Sequence, residues 1–398
     1  MKTQTLLLLT AASLHAGTAP EENPIHFFLN SRLRAEAAES AADIDGSSAV
    51  VSVRNRFGVE LTTPWIAFLV EGEHTWILSH TDDYSPFPGG TRSVIGDPDS
   101  FDLNRLQVTL GGKDHPAQMT LGRQMIAYDD QRFVGSVGWR QNDQTFDAGS
   151  IQYRPIDSLT LDYAYIDQVN RIFGNNAPLA ALERWHSESH LFHAEWKPAT
   201  GHTLTGFLHL LDFENAPRFS SDTIGLEWRG TTDTELAGWK PSWIITAAHQ
   251  QDASTNPNDY DAQYFRARLD LARSGWKIST GYEHLGSDNG VEAFQFPLGT
   301  NHAFNGYADA FLTTPVNGLR DLHAILETPA DPLGCTHRIA LHHFQSDNAS
   351  QSLGNEIDWS VRRPIGKTVY AQFVAAWLEG SGAQPDVRRV SIELDWIF

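Results

Sequence analysis

A single cysteine, Cys335, occurs in the 398 residues, which rules out a disulfide framework and any cysteine-based zinc site. No apolar run reaches about 18 residues, so a membrane-spanning helix is excluded as well. Basic charge is scarce: 29 Lys plus Arg stand against 49 Asp plus Glu, a net charge of −20. Binding to nucleic acid needs a concentrated basic face, and the sequence offers none. Glycine (31) and proline (19) are too few for a low-complexity chain, and 41% hydrophobic residues with only 20% charged are too apolar for a disordered one. The chain therefore folds around substantial apolar surface, and crossing a membrane with strands stays open to it.

The N-terminus, MKTQTLLLLTAASLHAG, places Lys2 before an apolar stretch from Leu6 to Leu14 and small residues near Ala16. This is the layout of a secretory signal peptide over residues 1–17, with the mature chain as one domain over 18–398. The rest alternates with a period of two. At the C-terminus Val390, Ile392, Leu394, Trp396 and Phe398 fall on one face, with Arg389, Ser391, Glu393 and Asp395 on the other. Leu159, Leu161, Tyr163 and Tyr165 repeat the pattern against Thr160, Asp162 and Ala164. About eighteen such segments follow one another, separated alternately by short turns and long polar connections, with no domain boundary and no fixed repeat. The expected fold is all-β: a transmembrane, antiparallel, up-and-down β-barrel of about eighteen strands. A soluble sandwich of this length would divide into domains, and no propeller blade repeats.

In such a barrel the polar partner of each alternation points inward, because Arg or Lys facing lipid at mid-membrane costs roughly 2–4 kcal/mol. Expected pore-lining residues are Arg32, Arg34, Arg54, Arg56, Arg105, Arg123, Asp147, Arg154, Arg266 and Arg268. Arginine presents a planar fork that takes carboxylate or phosphate bidentately, so an arginine-lined pore suits anionic solutes. Inward acids such as Glu71, Glu73, Glu227, Glu283, Glu356 and Asp358 work against that field.

Two stretches carry more than composition: LGRQMIAYDDQRFVGSVGWRQNDQTFDA from Leu121 to Ala148, and ADAFLTTPVNGLRDLH from Ala308 to His323. Both resemble the alginate-export family of outer-membrane porins, and the alternation from Ile25 to Phe398 is similar in extent to that family's eighteen-stranded barrel. The resemblance implies passive passage through the outer membrane of a Gram-negative bacterium, with export of an acidic polysaccharide as the family's named activity. The matching residues are Arg123, Gln124, Arg132, Arg140, Gln141, Asp147, Asn317 and Arg320. Of these, Arg123 and Asp147 are expected to face the pore, and Arg132 and Arg140 to belong to a loop folded near it.

Enzyme-like patterns are weak. Ser274-Gly275-Trp276-Lys277 and Ser287-Asp288-Asn289 lie only ten residues apart around a strand, unlike the serine β-lactamase arrangement, and no K-T-G follows. The histidines of 186–193 and of 337–343 divide between strand faces, which argues against a shared metal. The reading is a passive channel for anionic saccharides or small anionic solutes, without catalysis, cofactor or metal. Its partners are outer-membrane lipid and the solute, and nucleic acid is not among them. A general or uptake porin, an outer-membrane enzyme with a rim active site and a plugged structural barrel are the alternatives.

Overall fold

The computed structural model describes residues 24–79, 81–112 and 115–397. The signal peptide expected over 1–17 and the closing aromatic Phe398 lie outside the described residues. Eighteen strands form one antiparallel sheet. The first nine are β1 (Ile25–Ser40), β2 (Ser48–Thr62), β3 (Ile66–Ile77), β4 (Ser100–Leu110), β5 (Ala117–Gln124), β6 (Thr145–Ile156), β7 (Leu159–Asn170), β8 (Arg184–Ala199) and β9 (His202–Leu211). They continue as β10 (Ser221–Thr231), β11 (Lys240–Asp252), β12 (Asp261–Arg273), β13 (Trp276–Leu285), β14 (Leu319–Glu327), β15 (Thr336–Gln345), β16 (Ser352–Ile365), β17 (Val369–Gly380) and β18 (Val387–Ile397). Each strand pairs with its sequence neighbours, and β18 returns to β1 in register from Asn30↔Ile397 to Ser40↔Val387. The sheet thereby closes and leaves no open edge, the one way a sheet can stand in lipid.

Alternation sets the two faces. On β12, Phe265 and Leu269 are exposed outward, whereas Tyr264, Arg266 and Asp270 are buried inward. Outward aromatics gather at two levels: Trp196, Trp228 and Trp276 near one rim, Trp76, Phe101 and Trp377 near the other. These are the girdles expected where ring edges meet both membrane interfaces. Turns 157–158, 200–201, 274–275 and 366–368 lie on one rim, together with the start of β1 and the end of β18; long connections 125–144, 171–183 and 286–318 lie on the other. By the usual asymmetry of such barrels the long-loop rim is the outer one.

Two long connections turn into the barrel. The fifth strand stops at Gln124, and Ile126 enters a buried cluster with Val134, Phe146, Trp185, Phe213 and Leu298. A second cluster joins Phe294, Phe296 and Phe311 of loop 286–318 to Phe207, Tyr264 and Phe344 of the wall. Each fully buried aromatic contributes about 1.5–3 kcal/mol, so apolar burial inside the lumen holds both loops inward.

Candidate functional site

The site is the lumen at the level where the two loops cross it. They meet edge to edge: Gly135 N donates to Leu298 O at 2.8 Å and Thr300 N to Gln131 O at 2.9 Å. Phe133 sits at the junction, 4.4 Å from Phe207, 5.5 Å from Tyr264 and 5.1 Å from Phe296 between ring centroids. Beside it, Arg132 donates to Glu283 Oε1 at 2.8 Å and to Asn305 Oδ1 at 2.7 Å, with its guanidinium 3.8 Å over the Phe296 ring. One arginine of the first loop thus ties together the wall and the second loop.

On the wall formed by β18, β1, β2 and β3, the expected arginines point inward but do not meet an open lumen. Segment 138–143 of the first loop lies over them. Arg32 donates to Asp395 at 3.0 Å and to the carbonyls of Gly138, Trp139 and Arg140 at 3.1–3.2 Å. Arg34 is held by Glu393 at 2.8 Å and Asp97 at 3.3 Å, and Arg56 by Glu73 and Asp143. Arg54, opposite Arg32 in register, donates to Asn30 and lies 3.6 Å from Asp395. The loop adds Arg140, which reaches Glu36 and Asp309 at 3.3 Å, while Gln141 donates to Ser52 at 2.8 Å. Burial alone would raise the carboxyl of Asp309 on the second loop; the imidazole of His302 and the guanidiniums of Arg389 and Arg140 outweigh it and hold the group at about 2. Arg32, Arg34 and Arg54 are therefore corrected from pore-lining groups to the buried half of an ion-pair network. A buried charge has to be paired, and the loop that covers them supplies part of the pairing.

The opposite wall differs. Arg266 on β12 is buried between Asp130 of the first loop, at 2.9 Å, and Glu227 of β10, at 3.0 Å. Asp130 is held at about 2: burial would raise it, but Arg266, Arg229 and Arg268 together outweigh that. Below them, toward the short-turn rim, a cavity of about 700 Å³ opens. Its lining includes Asp157, Lys197, Arg229, Arg268, Asp270 and Trp243. Arg229 and Arg268 retain 28% and 30% side-chain exposure, although Arg229 touches Glu227 and Arg268 lies 3.1 Å from Asp270. Arg229 was missing from the expected set, although Glu227 and Arg229 flank the outward Trp228 at the same two-residue spacing. Arg154, inward and exposed, donates to Gln152 near the same rim, and Arg105 is clamped bidentately by Glu71.

Two motif residues expected in the pore face away from it. Arg123 continues the outward face of Met119 and Leu121, and its register partner Asp147 the outward face of Gly149 and Ile151. They bind each other bidentately at 2.6 and 2.9 Å, and Asp147 also accepts from Gln168 and Asn170. The inward position belongs to Gln124, which donates to Ala148 O at 2.9 Å and accepts from Ser150 at 2.7 Å. In the second motif Arg320 lies on the face opposite the buried Leu319 and Asp321 and grips Asp347 at 2.6 Å, while Asn317 O accepts from Asn348 N at 2.8 Å. Both motif arginines outside the first loop therefore build polar clusters on the outside of the wall, near the outer rim, where headgroups replace hydrocarbon and such pairs can stay hydrated.

The match to the alginate-export family model, described as "Alginate export", runs over residues 30–358. The chain belongs to the alginate-export family. Among solved structures, this alginate-export barrel is similar to OccK9 (OpdG) of Pseudomonas aeruginosa, with TM-score 0.68 and 14% identity over 94% of this chain and 98% of that one. It is similar also to OccAB4 of Acinetobacter baumannii, with TM-score 0.66 and 12% identity over 94% and 98% of the two chains. At such identities the likeness speaks for the fold. No protein of curated function matches the sequence. Family and fold together make the chain an outer-membrane β-barrel channel of a Gram-negative bacterium.

Proposed function

We propose that this channel passes small anionic solutes, carboxylated sugars being the fitting class, by way of the inner-side vestibule between β8 and β12. The observation that carries the reading is the pair of part-exposed arginines, Arg229 and Arg268, bordering the cavity together with Lys197. Arg229 and Arg268 border open space that a carboxylate can enter, whereas Arg32, Arg34 and Arg56 of the β1–β2 wall are held by buried carboxylates. The two inward loops narrow the lumen above the vestibule and set which solutes reach it. Residues 1–17 act as the export signal and are removed on the way to the membrane.

The channel reading is preferred to a rim enzyme on the placement of the serine patterns. Ser274 lies in the turn after β12 at one rim and Ser287 follows β13 at the other, so no joint site forms. The deciding experiment is proteoliposome swelling with the mature protein, comparing glucuronate with glucose. Faster swelling in glucuronate supports the proposal, and equal or slower swelling contradicts it.

A further inference from the structure

Inside the barrel, beneath loop 286–318, the wall carries a histidine and carboxylate set that the channel reading does not use. His323 on β14 and His342 on β15 are direct partners across the strands, and Asp321 stands two residues before His323 on the same inward face. This spacing brings three donors into one small triangle: a directly opposed pair is about 4.5–5.5 Å apart at Cβ, and residues i and i+2 share a face. One donor atom from each of the three lies within 4.8 Å of the others. Nδ1 of His342 is 2.9 Å from Asp321 Oδ2, and Nδ1 of His323 is 3.5 Å from that oxygen. The His323 Nδ1 is buried, and the carboxylate 3.5 Å away is too poorly placed to satisfy it with a hydrogen bond of good geometry.

The surroundings carry excess negative charge. Glu356 lies directly across from His342 in register and is buried with one carboxylate oxygen unpartnered. Asp358 places Oδ2 3.6 Å from His342 Nε2. Loop 286–318 rests on this group: Asn305 donates to Asp321 Oδ2 at 3.3 Å and to Glu283 Oε2 at 2.7 Å, and Ala308 N to Glu356 at 2.7 Å. The loop approaches so closely that a Cβ on Gly306, whose φ is +88°, would fall 2.4 Å from the Glu356 carboxyl.

We propose that Asp321, His323 and His342 bind one divalent transition-metal cation of the zinc class on the inner wall of the barrel. Two imidazoles and one carboxylate are the ligand set of three-ligand zinc sites that keep a further position for water. Metal–ligand bonds of about 2.0–2.2 Å place neighbouring donors a little over 3 Å apart, close to the 2.9 and 3.5 Å that separate the two Nδ1 atoms from Asp321 Oδ2. Coordination through Nδ1 of His342 leaves its Nε2–H to face Asp358, the carboxylate–histidine–metal arrangement that orients a ligand ring. Loading the site joins β14 to β15 under the point where the second loop docks.

The test uses the mature full-length protein in detergent, stripped with chelator and then titrated with Zn²⁺ alone by calorimetry and with Co²⁺ alone by visible absorption. The expected result is one ion per chain with a Co²⁺ spectrum of low coordination number. His323→Gln and His342→Gln each abolish the strong binding, and Asp358→Asn weakens it about 10–100-fold. His323 is the least buried of the three, so His323→Gln keeps the test valid if His342→Gln fails to fold. Absence of saturable binding, or binding unchanged by both histidine variants, overturns the proposal and leaves Asp321–His342 as a hydrogen-bonded strut.

Discussion

Arg34 on β1 and Arg268 on β12 are the same residue type on the same inward face of one barrel, yet their surroundings make them different devices. Arg34 has 4% side-chain exposure and spends its donors on Glu393, Asp97 and the carbonyl of Trp139. Arg268 has 30% exposure, one carboxylate neighbour and a cavity in front of it. The difference lies in the loop, since segment 138–143 crosses β1 and β2 while Arg268 borders the cavity. An inward arginine lines the passage only where no loop lies over it.

The strongest way to break this contrast is to lift the cover. Phe133 joins both loops to the wall, and Phe133→Ala is expected to cost about 3–5 kcal/mol of docking and packing energy. Single-channel current in planar bilayers should rise several-fold and become noisy, whereas a current like that of the parent would mean that the loops are held elsewhere. Next in size, Arg34→Ala takes the nearest guanidinium from buried Glu393 and Asp97 and leaves them only Arg32 at 3.9 Å and Arg140 at 3.7 Å, a loss of up to about 3–5 kcal/mol. It should show as a lower urea midpoint in detergent.

Arg268→Ala sharpens the contrast from the other side. Its pair with Asp270 is part-exposed and worth at most about 1 kcal/mol, so unfolding should hardly move while glucuronate permeation falls. Smallest is the effect of acid. Asp130 and Asp309 have carboxyls depressed to about 2, so the stability they lend the loops is complete above the unfolded value near 3.8 and is lost as pH falls toward 2. Open-channel current should stay flat from pH 7 to about 4.5 and become noisy only between about 4 and 2.

The barrel was legible because lipid imposes a strict rule: every outward residue must tolerate hydrocarbon, and that rule writes a period of two into the chain. Leu159 to Tyr165 and Val390 to Trp396 display it plainly. The rule weakens at the rim, where Arg123 and Arg320 stand outward, paired with Asp147 and Asp347; there charge on the outer face has water and headgroups for company. Counting alternation through the motif from Gln118 suffices to turn Arg123 outward, but a charged residue invites the opposite reading. The inward path of loop 125–144 has no period at all. Its anchors, Asp130 to Arg266 and Arg132 to Glu283, join residues more than a hundred positions apart, and no local pattern in one chain marks them. The triad of Asp321, His323 and His342 was hidden for the same reason, since its members divide between neighbouring strands.

The reversal potential across a potassium chloride gradient, measured for the parent and for Arg229→Ala with Arg268→Ala, tests the central claim most directly. The account predicts an anion-selective parent and a double variant displaced toward cation selectivity. A parent that prefers cations, or a double variant with the parent's reversal potential, would contradict it.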